Sequence, residues 1–221
     1  MRAAKAGALR LGSEALDGPT VALLARALER GAVIGLPTDT VYGLAASWNS
    51  ATGVRRLFAA KGRAEERPVA VLFPSAGAIF ELLPDVGDAV ARVLRALLPG
   101  PYTFVVSTSI ARPPLVGTPD SLGVRVPAHP PLLELLARLG VPLAATSANL
   151  SGGSDPADLH EVDPRVLMHS AAALDLGARP AGRPSTVVDL RPLLQGRTPL
   201  VLREGTAPAA ELLARIAAAT G

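Results

Sequence analysis

The sequence predicts a single α/β domain with a mixed, twisted β-sheet flanked by helices. Its 221 residues are a usual length for one domain with small appendages. The hydrophobic fraction of 49% is enough for a sizeable buried core, so extensive disorder is not expected. Helical and strand-like patterns alternate along the chain, without the regular order of repeated βαβ units and without an internal repeat. An irregular alternation of this kind favours a mixed sheet.

Five segments have the apolar periodicity of amphipathic helices. In chain order they are residues 20–31, 54–60, 85–98, 130–139 and 208–219. We expect Thr20 to cap the first helix and Thr206 the last, because a threonine hydroxyl can accept a hydrogen bond from the first helical turn. The fourth helix begins at Pro130 and stops at Gly140, two residues that favour these positions.

Eight short apolar runs predict buried strands. In chain order they are residues 32–36, 69–73, 102–106, 121–126, 141–145, 172–176, 186–190 and 200–202. Pro37 ends the first run and Pro101 precedes the third, as expected for strand boundaries. The segment 152–164 is rich in Gly, Asp and Pro, which indicates a loop with room for one helical turn.

The composition excludes several kinds of functional site. The chain has no cysteine, so it can form neither a disulfide scaffold, nor a thiolate nucleophile, nor a cysteine-ligated zinc site. Residues 1–11 lack the continuous apolar stretch of a secretory signal. No apolar run reaches the roughly 18–20 residues that span a bilayer. We therefore expect a soluble cytoplasmic protein that makes no membrane contact.

The charge is modest, and arginine supplies nearly all of the positive side chains. A net charge of +3 suits anionic ligands without requiring nucleic acid. Lys5 and Lys61 are the only lysines among 22 cationic residues. The lysine at position 61 therefore has two interpretations. Either the site needs a compact ammonium group that a guanidinium cannot replace, or the choice of lysine is due to chance.

Several familiar catalytic signatures are absent from the sequence. Lys61 lacks the preceding glycines and the following Ser or Thr of a Walker loop. The chain contains no G-x-S-x-G, H-E-x-x-H or G-x-G-x-x-G motif. His129, His160 and His169 do not have the spacing of metal ligands, so we expect no metal site built by the protein.

Polar residues collect instead at the ends of predicted strands, where the ligand sites of open α/β sheets lie. Residues 37–44 read PTDTVYGL and offer turn-forming side chains, although an ordinary capped turn is an alternative. Residues 61–63 read KGR, and Arg67 follows soon after. These cations could surround a polyanion. The alternative is a solvated charged loop, since residues 65–66 are glutamates.

Two further strand ends carry candidate residues. Ser147 and Asn149 point the same way in an extended chain and suit phosphoryl oxygens, although a helix N-cap is an alternative. Arg125 lies alone in an apolar strand. A buried charge is costly unless it is paired, so Arg125 should face a carboxylate from the protein or from a ligand. For Arg203, at the end of the last predicted strand, the partner of the charge is likewise in question.

Taken together, these segments resemble the YrdC-type threonylcarbamoyl-AMP synthases over residues 16–206. The resemblance rests on seven strings that occur in the order of the family. They are LPTDTVYGLAA (36–46), KGR (61–63), PGPYTFVV (99–106), LGVRVPAHP (122–130), SANLSG (147–152), STVVDL (185–190) and LREG (202–205). Seven ordered strings are far more specific than any one of them.

The resemblance implies a nucleotidyltransferase that makes threonylcarbamoyl-AMP and pyrophosphate from L-threonine, bicarbonate and ATP. Mg²⁺ would accompany ATP, held mainly by phosphate and water oxygens. The fold would be a twisted mixed sheet with a positively charged concave face. The implied division is an N-terminal extension (1–15), a catalytic domain (16–206) and a C-terminal helix (207–221), as in the short form of the family. A downstream transferase would act on tRNA, and weak direct tRNA binding is possible.

The roles of the family's residues carry over to matching positions of this chain. The catalytic tetrad would be Lys61, Arg63, Ser147 and Asn149. The ATP contacts would be Arg63, Arg67, Ser121, Ser147, Asn149 and Arg203. The threonine contacts would be Thr40, Arg125, Ala145 and Ser185. Of these, Arg125 would take the substrate carboxylate and Ala145 would contribute only its backbone.

Some positions depart from the family pattern. Ala64 replaces a usual proline, Arg67 a common asparagine, and Leu72 a histidine found near threonine in some members. A non-catalytic RNA-binding module of the same fold is the main alternative, and it would show a steep salt dependence of binding. A carbamoyl-transfer domain of hydrogenase maturation is a second alternative. Its acylphosphatase-like region and zinc-binding cysteines are absent from this sequence.

Overall fold

The computed structural model describes residues 8–62, 69–111, 113, 116–177 and 182–221. Ten strands lie in this part of the chain. They are β1 (Leu9–Gly12), β2 (Val33–Leu36), β3 (Gly43–Ser47), β4 (Ala70–Leu72), β5 (Tyr102–Ser107), β6 (Ser121–Arg125), β7 (Leu143–Ser147), β8 (Ala172–Asp175), β9 (Thr186–Asp189) and β10 (Leu200–Arg203). They form one sheet in the order β1-β8-β2-β3-β7-β4-β6-β5-β9-β10. The pairs β1–β8, β2–β8, β4–β6 and β5–β9 are parallel, and the others are antiparallel. The predicted mixed α/β sheet is confirmed.

Helices cover both faces of this sheet. They are α1 (Gly18–Glu29), α2 (Ala51–Ala60), α3 (Ala76–Leu82), α4 (Asp88–Leu97), α5 (Pro130–Leu139), α6 (Pro164–Leu167) and α7 (Ala209–Thr220). One apolar core contains buried residues of α1 and α5, and the other contains those of α2, α4 and α7. Ala45 belongs to the first core, whereas its neighbours Leu44 and Ala46 belong to the second. Successive strand residues point to opposite faces, so the two cores lie on opposite sides of the sheet. No helix in the described part of the chain combines the length and the apolarity needed to cross a membrane.

Helix α5 occupies the predicted segment because its end signals are local. It begins at Pro130, and Nδ1 of His129 accepts a hydrogen bond from the backbone nitrogen of Leu132 at 3.2 Å. Gly140 ends the helix in the left-handed conformation, with φ of 67°. A proline start and a left-handed glycine stop depend little on the rest of the fold.

The two predicted threonine caps are wrong. The N-cap of α1 is Asp17, whose Oδ1 accepts a hydrogen bond from the backbone nitrogen of Thr20 at 2.8 Å. A carboxylate earlier in the chain therefore takes the capping position. The N-cap of helix α7 is Pro208, which provides no side-chain cap, and the hydroxyl of Thr206 donates to the backbone oxygen of Arg183 at 2.7 Å.

Strand β3 and helix α3 are absent from the sequence-based prediction. The five residues of β3 read GLAAS and are all buried. They contain no β-branched or aromatic side chain that would favour a strand. The strand forms because it pairs with β2 on one side and β7 on the other. Tertiary pairing therefore overrides local propensity at this point.

The predicted N-terminal extension contributes to the sheet. Residues 9–12 form the edge strand β1, which runs parallel to β8, with Leu9 opposite Ala172. At the other end of the chain, α7 packs against α4 through the buried residues Leu212 and Ile216. Strand β1 and helix α7 are thus packed onto the other described elements of the fold.

We expect Leu28→Ala to lower the free energy of unfolding by about 2–5 kcal/mol, because it removes a fully buried side chain from the core between α1 and the sheet. Urea-induced unfolding followed by circular dichroism measures this change. The matched control is Leu23→Ala on the same helix, where the side chain is 65% exposed. That variant should stay within about 0.5 kcal/mol of the native protein. Equal losses in both variants would contradict the assigned buried face of α1.

Candidate active site

A cleft of about 440 Å³ lies over one half of the sheet, and residues of β3, β7, β4, β6, β5, β9 and the edge strand β10 contribute to its wall. Its volume is in the usual range for small-molecule sites. Six of the predicted site residues line it. They are Ser121, Arg125, Ala145, Ser147, Ser185 and Arg203. Three further predicted residues, Thr40, Lys61 and Asn149, are hydrogen-bonded to residues of this wall.

Lys61 connects the end of α2 to the end of β7. Its Nζ donates to the backbone oxygen of Ser147, to Oδ1 of Asn149 at 2.7 Å and to Oγ of Ser147 at 3.3 Å. The residue is only 4% exposed. An ammonium group has three hydrogens, and a buried one needs acceptors for them. Three residues that are distant in the sequence, Lys61 on one side and Ser147 and Asn149 on the other, therefore form one compact polar cluster.

Further hydrogen bonds fix the turn after β7. The hydroxyl of Ser147 donates to Oδ1 of Asn149 at 2.7 Å, and Nδ2 of Asn149 donates to the backbone oxygen of Gly153 at 2.6 Å. The backbone nitrogen of Ser151 also donates to the backbone oxygen of Lys61 at 3.1 Å. The segment continues as a turn. The alternative interpretation of Ser147 and Asn149 as caps of a following helix is therefore wrong.

Arg63 and Arg67 lie outside the described residues. The structure consequently places three members of the predicted tetrad together, Lys61, Ser147 and Asn149. The predicted roles of Arg63 and Arg67 stay predictions, as does the effect of Ala64 on them.

Arg125 ends β6 with its side chain buried against the turn that follows β2. Its Nη2 contacts Oδ1 of Asp39 at 2.5 Å and donates to Oγ1 of Thr40 at 2.7 Å. Burial lowers the pKa of the Arg125 guanidinium, and the negative charge of Asp39 opposes this shift. The carboxylate that a buried charge in this strand requires is therefore supplied by the protein itself, from Asp39.

Arg203 and Ser185 form a second polar group across the cleft. Nη2 of Arg203 donates to the backbone oxygen of Ser185 at 2.8 Å, and the hydroxyl of Ser185 lies 2.8 Å from that of Thr103. Burial lowers the pKa of Arg203, Asp155 raises it, and the positive charge of Arg125 lowers it further. The two arginines are therefore close enough for the charge of Arg125 to act on Arg203.

Several residues of the cleft are missed by the sequence analysis. Thr103 is buried inside the apolar strand β5, and this polar residue in an apolar run was the available signal. Arg191 also lines the cleft, and it is held by Asp189 at 2.8 Å and by Asp120 at 3.1 Å. Burial raises the pKa of Asp189, but the hydrogen bonds from Arg191 outweigh burial and lower it overall. Thr118 contacts Ser121 through the two hydroxyls.

Comparison with known proteins relates this geometry to a family. The family model described as telomere recombination, Sua5/YciO/YrdC, matches residues 26–205. A putative threonylcarbamoyl-AMP synthase of Mycobacterium tuberculosis is 37% identical over 182 residues, covering 81% of each chain. The threonylcarbamoyl-AMP synthase of Pyrococcus abyssi is 31% identical over 200 residues, covering 90% of this chain and 58% of that protein.

A solved structure supports the same relationship. The crystal structure of Sua5 from P. abyssi complexed with L-threonine superimposes with a TM-score of 0.79 at 30% identity. The match covers 94% of this chain and 60% of that one, so this chain spans about three fifths of the archaeal protein. Because the family match extends over residues 26–205, far more than half of the sequence, the chain belongs to the Sua5/YciO/YrdC family.

Proposed function

We propose that this chain is a threonylcarbamoyl-AMP synthase, which converts L-threonine, bicarbonate and MgATP into threonylcarbamoyl-AMP and pyrophosphate. The observation that carries the proposal is the arrangement of two buried cations around one cleft. Lys61 contacts Ser147 and Asn149, whereas Arg125 contacts Thr40 on another part of the same wall. One cluster suits a polyphosphate and the other a carboxylate, and the two substrates must meet for the reaction to occur.

The phosphate end would use the cluster around Lys61. The hydroxyl, amide and ammonium groups of this cluster can replace the hydrogen bonds among themselves by hydrogen bonds to phosphoryl oxygens. Further contacts would come from Arg63, Arg67 and Ser121. Arg203 would meet the nucleotide, and a positive concave face would attract the triphosphate. Mg²⁺ would enter with ATP and would be coordinated mainly by phosphate and water oxygens.

The amino-acid end would use Arg125, Thr40, Ser185 and the backbone of Ala145. Arg125 and Ala145 line the cleft from β6 and β7, the two strands that flank β4 in the sheet. The guanidinium of Arg125 would receive the threonine carboxylate through the part that faces the cleft. Leu72 also lines this region, so an apolar side chain stands where some relatives have a histidine.

The reaction needs positioning and charge stabilisation more than a side-chain nucleophile. The ammonium group of threonine combines with bicarbonate, releasing water and a proton, to form a carbamate. A carbamate oxygen then attacks the α-phosphorus of ATP. The bond from that phosphorus to the bridging oxygen breaks, and pyrophosphate leaves with this oxygen. Fixed donors such as Lys61 would stabilise the charge that develops on the phosphoryl oxygens. A downstream transferase would then pass the threonylcarbamoyl group to tRNA.

We expect the purified protein to release pyrophosphate from ATP only when both L-threonine and bicarbonate are present. Mass spectrometry of the products should identify threonylcarbamoyl-AMP, with other amino acids as controls. Pyrophosphate release that does not change when threonine is omitted would refute the proposal. A steep loss of RNA affinity with added salt, without adenylylated product, would favour the RNA-binding alternative.

Replacement of Lys61 by alanine should lower turnover by about 10²–10³-fold, the usual loss for one preorganised donor at a site of charge development. The variant also loses the contacts that hold Ser147 and Asn149. Single-turnover measurement of threonylcarbamoyl-AMP formation reports this change. The control is Arg55→Ala on the exposed side of α2, which should retain native turnover. Native-like turnover of the Lys61 variant would contradict the assigned role.

For Arg125→Lys we expect the threonine KM to rise on the order of tenfold, while the ATP KM stays near its native value. The fork of the guanidinium can bind Asp39 and Thr40 with one nitrogen and a substrate with another, whereas a single ammonium cannot span both. Initial rates at varied threonine measure the effect. Arg165→Lys, at an exposed ion pair, serves as the control. An unchanged threonine KM in the Arg125 variant would place the carboxylate elsewhere.

A further inference from the structure

The ion pair between Asp39 and Arg125 joins two segments that are 86 residues apart. The side chains of Arg125 and Asp39 are only 9% and 10% exposed, and Nη2 lies 2.5 Å from Oδ1. Of the two residues, Arg125 lines the cleft, whereas Asp39 does not belong to the cleft wall. Asp39 therefore contacts the inner side of the guanidinium, away from any ligand in the cleft.

The geometry of this pair is not the one that would stabilise it most. A carboxylate and a guanidinium pair best through two parallel hydrogen bonds. Here Oδ2 of Asp39 and Nε of Arg125 are both buried and have no hydrogen-bond partner in the described part of the chain. Buried polar atoms without partners cost free energy, so stability alone does not account for the arrangement.

The two terminal nitrogens of the Arg125 guanidinium differ in their hydrogen bonds. Both hydrogens of Nη2 have acceptors, on Asp39 and on Thr40. The hydroxyl of Thr40 is in turn 3.0 Å from that of Thr38, which fixes its position. Among the described residues, none accepts a hydrogen bond from Nη1. That nitrogen is therefore the one able to bind a carboxylate in the cleft.

We propose that Asp39 is a positioning residue that acts on the amino-acid substrate through Arg125. It orients the guanidinium by occupying Nη2, and it shares the positive charge of Arg125 with the substrate carboxylate. This inference rests on the proposed function, because it takes the threonine carboxylate as the ligand of Nη1.

The shared charge has a consequence for affinity. Two carboxylates bound to one guanidinium repel each other across it, and in a buried site this repulsion is only weakly screened. Asp39 therefore reduces the affinity for threonine below what an uncompensated arginine would give. The product carries the same carboxylate and is held less tightly for the same reason. Tight binding of substrate and product alike would not increase turnover, so moderate affinity favours release of the product.

The variant Asp39→Asn tests the charge of residue 39 separately from the shape of its side chain. Asparagine keeps the size of the side chain and an oxygen acceptor for Nη2, but it removes the negative charge. We expect the Kd for L-threonine to fall about tenfold, because the substrate carboxylate becomes the sole counter-ion of Arg125. The Kd for L-threoninol, which lacks the carboxylate, and the Kd for MgATP should not change. The ligand-free variant should unfold at a lower temperature, since a buried charge loses its partner.

Isothermal titration calorimetry on the full chain measures these dissociation constants. The matched control is Asp163→Asn, which removes the carboxylate of the surface pair with Arg165 and should leave all three Kd values at their native level. Asp39→Ser is a second, smaller neutral variant, and it should shift the threonine Kd in the same direction. It provides the measurement if the asparagine variant does not fold.

Two outcomes would overturn the inference: a threonine Kd that is unchanged or larger in the neutral variants, or an equal shift for threonine and threoninol. A purely structural role of Asp39 would lower the unfolding temperature without separating the two ligands. Failure of the proposed function is a different result, because the native protein would then bind no L-threonine at all. Native binding of threonine with an unaltered Kd in the variants contradicts only the role of Asp39.

Discussion

The position of β7 between β3 and β4 is the constraint on which the cleft depends. Antiparallel pairing sets Ser147 opposite Gly43, and Leu143 opposite Leu72. A side chain at Gly43 would bring its Cβ to 3.1 Å from the backbone oxygen of Thr146, so glycine permits this close approach. This register brings the end of β7 beside the turn before β3, and a shift by one residue would turn its side chains to the opposite face.

The two buried cations beside the cleft have different contacts. Oxygens of Ser147 and Asn149 accept hydrogen bonds from Lys61. Arg125 instead contacts the carboxylate of Asp39. A carboxylate cancels most of the field of the cation that it contacts, so the balanced charge around Arg125 suits a single carboxylate.

Much of the secondary structure could be predicted because its signals are local. Helix α5 lies between a proline and a left-handed glycine, and the apolar runs of β5, β6 and β9 lie within one residue of their predicted bounds. Strand β3 could not be predicted, because its small residues form a strand only through pairing on both sides. The cap of α1 was misassigned because two nearby residues can serve as N-caps, and only the backbone path selects between them.

The mixed α/β class, the family resemblance and most of the candidate residues follow from the sequence, because apolar periodicity and short ordered strings depend on neighbouring positions. Which residues meet depends on the folded chain. Lys61 reaches Ser147 across 86 residues, and Thr103 reaches Ser185 across 82. The partner of Arg125 could equally have been a ligand, and the fold assigns it to Asp39. The physical reason is that the cost of burying a charge predicts that a partner exists, whereas the strand register decides which side chain is within hydrogen-bonding distance.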